Sequence, residues 1–357
     1  MGGMRVLIVK IGAIGDVVMG LPMIGATRAL DAGAHVTWLV GSTARPVLDL
    51  VEGLDEVITV DDGALFGGSP VRRLQAMMRV WRHLGRRKFD LVVTAHTDWR
   101  YRMLTCFTRA RVRRGLSRLG RGASVRGRYA AVEYARLITG SDGPGKVPLF
   151  PPHSASWPNP PFLAAAGRKT VIIAPGGARN ALRDDPLRRW PTESYASLAR
   201  DLLEAGCQVV LVGAPHDVYV RPSFGGIEVV DLIGRTSLSE LASVVRMADV
   251  VVTHDSLALH LAVLAGSRAV ALFGPVLPME RCPPDETLFT SAGDAPPPTQ
   301  RRLHAVWGGQ GLKCRPCYDG QNFAVCGRNE CMREITAPEV LSYVLRLLGR
   351  SDGQRRG

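Results

Sequence analysis

The sequence is poor in aromatics and short of acids. Phe, Trp and Tyr make up 6% of the 357 residues although 46% are hydrophobic, so any core must be built from Val, Leu, Ile and Ala. That balance fits packed α/β layers. Against 45 Lys and Arg stand only 32 Asp and Glu, a formal charge of +13 with a pI near 9.9. Two readings follow: an arginine-rich solvated surface, or affinity for anions such as nucleotide diphosphates, phosphorylated glycolipid or an anionic membrane face. No apolar run reaches the roughly 18 residues of a transmembrane helix. The N-terminal apolar run is only strand-length and lacks an A-x-A cleavage site, so no signal peptide is expected. Seven cysteines, an odd number in a long chain, argue against a disulfide framework. A cytoplasmic location is expected. A complete G-x-G-x-x-G fingerprint is also missing, which disfavours a dehydrogenase.

What is present is a strand–helix alternation that occurs twice. Residues 4–10, 35–40, 57–60 and 89–95 read as strands. Helices are expected over 16–30, starting at Asp16, and over 43–51, 71–84 and 129–138. Pro144, Pro148, Pro151, Pro152, Pro158, Pro160 and Pro161 then crowd a segment that cannot be helix interior or central strand. The pattern restarts with strands at 170–174, 208–212, 228–231, 250–253 and 269–273, and helices at 192–205, 237–247 and 258–265. Ser237 and Glu240 form a capping-box signature. The expectation is an α/β chain of two doubly wound, Rossmann-like domains facing each other across a cleft. Residues 1–145 form the first domain, 146–168 a Pro-rich linker and 169–335 the second, with a Cys-rich loop at 312–332. A C-terminal helix over 336–350 and a disordered tail over 351–357 complete the chain.

Candidate chemistry gathers at strand ends. Lys10-Ile-Gly-Ala-Ile-Gly-Asp16 follows the first strand: Gly12 and Gly15 allow close backbone approach, and Asp16 is either a helix cap or a general base facing the crevice. Pro175-Gly176-Gly177-Ala178-Arg179, then Arg183, Arg188 and Arg189, suits a diphosphate through amides and guanidiniums, or is a plain surface loop neutralised by Asp184 and Asp185. Thr253-His-Asp-Ser256 closes another strand, where Asp255 or Ser256 can cap the next helix and Asp255 can accept from ribose hydroxyls. His260 lies one turn on, on the same face. Cys314, Cys317, Cys326 and Cys331, spaced C-x₂-C-x₈-C-x₄-C, can hold one structural tetrahedral metal, Zn or Fe, or be reduced structural thiols. Arg109–Arg128 carries eight arginines and no acid. With few aromatics beside it, it reads as a mobile basic loop meeting a phosphorylated acceptor rather than a nucleic-acid surface.

Four segments together resemble glycosyltransferase family 9, the heptosyltransferases of bacterial surface glycans: VLIVKIGAIGDVVMGLPMI (6–24), APGGARN with RRWPTESYASLA (174–199), GRTSLSELASVVRMADVVVTHDSLALHLA (234–262) and ALFGPVLP (271–278). The cysteine block is also of a kind seen in that family. The resemblance implies the GT-B fold and inverting transfer of L-glycero-D-manno-heptose from ADP-heptose, without a catalytic metal or other cofactor. It implies Asp16 as base and a donor site of Gly176, Gly177, Arg179, Arg188, Arg189, Asp255, Ser256, Leu257 and His260. Gly12, Gly15, Arg113, Arg114, Arg118 and Arg121 are then expected to meet the acceptor, lipopolysaccharide core by default. The family's Asp-Ser/Thr-Gly becomes Asp255-Ser-Leu257 here, which opens the question of a different donor sugar. A protein acceptor, a GT-B-fold sugar-nucleotide epimerase and a non-catalytic assembly protein remain the alternatives.

Overall fold

The computed structural model describes residues 3–117, 123–140, 150–154, 157–160, 167–179, 184–294, 297, 299–318 and 322–349. Arg118, Arg121, Arg183, much of the Pro-rich segment and the tail 351–357 lie outside the described residues. The chain divides into two compact units, Met1–Ser156 with Asn180–Arg183, and Trp157–Arg179 with Asp184–Gly357.

In the first unit the elements run β1 (Arg5–Val9), α1 (Ile14–Gly20), α2 (Pro22–Leu30), β2 (His35–Gly41), α3 (Arg45–Leu48), β3 (Glu56–Val60), α4 (Asp62–Gly67) and α5 (Pro70–Leu84). Then come β4 (Lys88–Thr94), α6 (Trp99–Met103), β5 (Arg109–Gly115) and α7 (Ala130–Thr139). Among the described residues five parallel strands are ordered β3-β2-β1-β4-β5. Leu7, Val9, Leu39, Ile58 and Val92 turn one face of this sheet onto Ala76, Val80 and Leu84 of α5. Strand order reverses between β1 and β4, where the chain leaves the sheet in opposite directions and a crevice opens.

The structure differs from the sequence expectation at two places here. The helix expected over 16–30 is two helices, because Pro22 cannot donate the next helical hydrogen bond and instead opens α2 at its first position. Asp16 consequently sits in the first turn of α1, with Ala13 at the N-cap. The basic segment expected as a mobile loop begins as strand β5, in register with β4 from Lys88↔Arg109 to Thr94↔Gly115. As an edge strand it tolerates charges that a central strand could not. Two of its arginines are taken up by their own unit. Arg113 donates to the Thr105 carbonyl at 3.0 Å and to that of Thr108. Arg114 donates to the Leu137 carbonyl at 3.2 Å and to that of Ile138, capping the end of α7. The described part of the linker is also attached: the Glu52 amide donates to Pro152 and the Ser154 amide to Leu50, each at 2.9 Å.

The second unit runs β6 (Thr170–Ala174), α8 (Thr192–Glu204), β7 (Gln208–Leu211), β8 (Val230–Asp231), α9 (Leu238–Met247), β9 (Val250–His254), α10 (Leu257–Ala265) and β10 (Ala269–Phe273). It ends with β11 (Thr287–Ser291), β12 (Leu303–Trp307), α11 (Glu330–Arg333) and α12 (Ala337–Leu347). Among the described residues its seven parallel strands are ordered β11-β12-β10-β9-β6-β7-β8. Val171, Ile173, Val250, Val252, Val270 and Leu272 alternate onto Tyr195, Leu198 and Leu202 of α8 and Val340 and Val344 of α12. The order reverses between β6 and β9, a second switch point. The Ser237–Glu240 capping box is present on α9.

A pH test of this architecture lies on β3. Glu56 accepts from Arg87 Nη1 at 2.8 Å and from Thr37 Oγ1 at 3.2 Å, and these bonds outweigh partial burial to hold its carboxyl at about 2, against 4.5 ordinarily. A depressed carboxylate stabilises the fold above its unfolded pKa, and this contribution is lost as pH falls through the folded value. Glu56→Gln should therefore lower the melting temperature at pH 7, with the gap to wild type closing from about 4.5 towards about 2. A gap unchanged across that range would exclude the ion pair as its source.

Candidate active site

At the first switch point β1 delivers Lys10, and its buried ammonium is fully engaged. Its Nζ donates to Ala95 O at 3.1 Å and Tyr134 Oη at 3.0 Å, and reaches Asp16 Oδ2 at 3.3 Å. Burial works against the lysine charge, but Asp16 and then Tyr134 outweigh it and raise the pKa. The Asp16 side chain is one-third exposed, so one carboxylate is both tethered to a buried cation and open to solvent. His96 follows β4. Its Nε2 accepts from the Ile11 amide at 3.0 Å, which puts the proton of the neutral ring on Nδ1. Burial, then the Lys10 charge, pushes its pKa well below the usual histidine value. Its ring stacks on Tyr101 at 3.6 Å between centroids. Beside it a cavity of about 410 Å³ is lined by Thr97, Asp98, Trp99 and Arg100. A side chain at Gly12 would meet nothing within 4 Å, and Gly15 falls within the first turn of α1.

At the second switch point the loop after β6 depends on a residue the motif reading missed. Asp217, buried in the 3₁₀ segment Pro215–Phe224, accepts from the Gly177 amide at 2.8 Å and the Ala214 amide at 2.8 Å. A Cβ on Gly176 would lie 2.4 Å from the Asp217 carboxyl carbon, and Gly177 has φ +90°. Both positions therefore demand glycine. The Gly177 amide is thereby occupied by Asp217 rather than free for a ligand.

Asp255 is the centre of this site. It is buried, and its Oδ2 lies 3.1 Å from Arg188 Nη1 and 3.7 Å from Arg281 Nε. His260 Nε2 is 3.8 Å from its other oxygen. Burial alone would raise its pKa, but Arg188, Arg281, His260 and His254 together hold it below the usual carboxylate value. Two guanidiniums thus converge on one buried carboxylate. Arg281 carries no signal beyond its place after the Phe273-Gly-Pro turn.

Arg189 takes a different place from its neighbour. Its Nε donates to Gly177 O at 2.9 Å, it pairs with Asp184, and it lies over the Tyr219 ring at 5.5 Å. Arg179 is exposed and bridges to Asp184 through the backbone. Ser256 sits at the N-cap of α10 but does not cap it through its side chain; its hydroxyl pairs with Thr253 Oγ1 at 2.8 Å. Leu257 is the first residue of α10. Behind Asp255, His254 Nδ1 meets the Tyr195 hydroxyl at 3.0 Å. Burial, then Arg188, brings His254 down to about 3, so this ring is neutral.

The cysteine segment docks against strand ends of the same unit. Cys314, Cys317, Cys326 and Cys331 are free thiols. Among the described residues no three His, Cys, Asp or Glu side chains stand within ligand distance of one another, yet Cys314, Cys317 and Cys326 are all near enough for their charges to act on Cys331. Cys331 is turned onto the sheet, where a Cβ on Gly274 would come within 2.6 Å of its sulfur, and burial pushes its thiol up to about 11. Cys326 Sγ instead accepts from the Asn329 amide at 3.3 Å. Asn329 Nδ2 in turn donates to Arg189 O at 3.1 Å.

Comparison with known proteins bears on what such a pair of sites belongs to. Residues 152–302 match the model of glycosyltransferase family 9 (heptosyltransferase). The chain is 25% identical over 311 residues to lipopolysaccharide heptosyltransferase 2 of Escherichia coli (strain K12), covering 77% of this chain and 84% of that protein. Its fold matches a family 9 glycosyl transferase from Veillonella parvula with a TM-score of 0.71, at 19% identity over 98% of this chain and 99% of the other. It matches E. coli ADP-heptose lps heptosyltransferase II with a TM-score of 0.70, at 19% identity over 97% and 98%. The family-model match falls almost wholly on the unit that holds Asp255, and the fold agreement runs through both units: the chain is similar to the heptosyltransferases of glycosyltransferase family 9 and shares their fold of two Rossmann-like units.

Proposed function

We propose that the chain transfers a heptose from ADP-L-glycero-D-manno-heptose to a hydroxyl of lipopolysaccharide inner core, with inversion. The observation that carries this reading is the convergence of Arg188 and Arg281 on buried Asp255, beside an α10 N-terminus whose amides no side chain caps. A diphosphate leaving group needs fixed positive groups of this kind. The similar E. coli proteins, named for lipopolysaccharide and ADP-heptose, support the donor and acceptor.

The chemistry follows from the side chains. Asp16 takes the proton of the acceptor hydroxyl, whose oxygen attacks the anomeric carbon from the face opposite the diphosphate. The carbon–oxygen bond to phosphate breaks, and ADP leaves with its charge met by Arg188 and Arg281. Lys10 keeps the Asp16 carboxylate oriented through their 3.3 Å contact. Trp99, beside the cavity next to His96, offers a flat face to an acceptor sugar. The acceptor is read as a phosphorylated glycolipid, with the protein in peripheral contact with an anionic inner membrane from the cytoplasmic side. Arg113 and Arg114 serve their own unit, so its phosphates fall to other cations.

Two measurements test this. Asp16→Ala should lower turnover by about 10²–10⁴-fold while ADP binding stays near wild type; near-full turnover in the variant would remove Asp16 as the base. ADP at about 100 times its dissociation constant should raise stability by roughly 2.7 kcal/mol, read as a thermal shift. Arg188→Gln should weaken ADP about tenfold or more through loss of a charge-assisted contact. A shift with UDP or GDP and none with ADP would overturn the donor and direct attention to Leu257.

A further inference from the structure

The outer face of α5 is left without a partner by anything described above. Between Asp62 and Asp90 the chain has no acid, yet it carries seven Arg and Lys. The helix uses Ala76, Val80 and Leu84 against the sheet. Its solvent side presents Val71, Leu74 and Met78, exposed to 65%, 50% and 42%. At 3.6 residues per turn Leu74, Met78 and Trp81 share one side of the helix. Trp81 meets Phe107 edge-on at 5.1 Å, and Phe107 is itself 61% exposed. An apolar stripe therefore continues from α5 onto the segment just before β5. Arg72, Arg79 and Arg82 flank it on the helix, and exposed Arg109 and Arg111 follow it on the edge strand. None of these five arginines has an ion pair to an acid among the described residues.

From this juxtaposition we infer that the face formed by α5 and Phe107 is the surface by which the enzyme docks on an anionic phospholipid bilayer. Leu74, Met78 and Phe107 enter the headgroup–acyl boundary, and the arginines beside them meet lipid phosphates. Charge complementarity selects this occupant. A nucleic acid would match the arginines but leave the apolar stripe wet, and a neutral apolar partner would leave the cations unmatched. The face belongs to the same unit as Asp16, so a lipid-linked acceptor would meet the base from the membrane to which it is anchored. The inference rests on the glycolipid reading for its purpose alone, since docking itself requires neither donor nor acceptor.

The test is co-sedimentation of the purified full chain with vesicles of equimolar phosphatidylglycerol and phosphatidylcholine, and with phosphatidylcholine alone. Wild type should partition at least about tenfold more strongly onto the anionic vesicles, and rising salt should weaken this. At about fivefold per cation, Arg72→Gln, Arg79→Gln and Arg82→Gln combined should lose about 100-fold. Leu74→Ser with Met78→Ser should lose about tenfold with all charges kept. All five side chains are exposed, so melting temperatures should stay at the wild-type value. Arg200→Gln, Arg235→Gln and Arg268→Gln, exposed positions of the second unit, remove the same charge and should leave partitioning unchanged. Equal loss in that control set, equal binding to neutral vesicles, or full binding by either α5 variant would overturn the proposal. Thermal shift with ADP, read on the same variants, reports the donor site separately, so failure of docking and failure of the heptosyl reading are distinguishable.

Discussion

Everything chemical in this protein depends on sheets that are wholly parallel. Parallel strands must be joined by crossovers, and crossovers cover both sheet faces, so neither face is free to carry polar machinery. Reactive groups are confined to strand ends, and chiefly to the place where strand order reverses. In one unit that place holds Lys10, Asp16 and His96; in the other it holds Gly177, Asp255 and Ser256. The same topology that makes the interior nearly all Val, Ile and Leu thus dictates where a carboxylate can be kept.

The two carboxylates are kept in opposite ways. Asp16 has one buried cation beside it and an open side towards solvent, which suits a group that must accept a proton and release it again. Asp255 is enclosed among Arg188, Arg281 and His260, and its charge is fixed. It organises cations rather than exchanging protons. A buried charge of this kind persists only where its partners more than offset desolvation. The net charge of the chain therefore has at least two distinct uses. A few arginines are locked around Asp255, others clasp carbonyls of their own fold, and a third group stands on the surface.

Legibility in the sequence follows the same logic. Central strands such as 6–9, 171–174 and 250–252 are continuous apolar runs, and they can be read directly. β5 cannot, because RARVRRG has the composition of a solvated loop and becomes a strand only through pairing with β4. β11 and β12 were hidden by polar interruptions such as Thr290 and His304, which tertiary pairing overrides. The break at Pro22 was readable from proline chemistry, yet the apolar periodicity on either side suggested one helix. At the sites, Asp255 stood out because it directly follows an apolar strand, and Asp16 because it ends the Gly-rich turn after one. Asp217 and Arg281 did not, since each acts over tens of residues with no local pattern to mark it. The cysteine spacing was legible, but spacing does not state direction, and Cys331 lies against the turn after β10.

The segment Arg188–Trp190 is fastened from three remote parts of the second unit. Arg189 holds Gly177 O, the Asn329 side chain holds Arg189 O, and the Trp190 indole donates to Ile335 O at 2.9 Å. Long side chains ordinarily lose rotamer freedom when they grip a ligand, at roughly 0.5–1.5 kcal/mol each. Here much of that ordering is completed during folding, before any ligand arrives. Arg188 is presented by a backbone anchored at Gly177, Asn329 and Ile335, so any ligand it gripped would draw little on conformational entropy, and its readiness would depend on residues some 140 positions away.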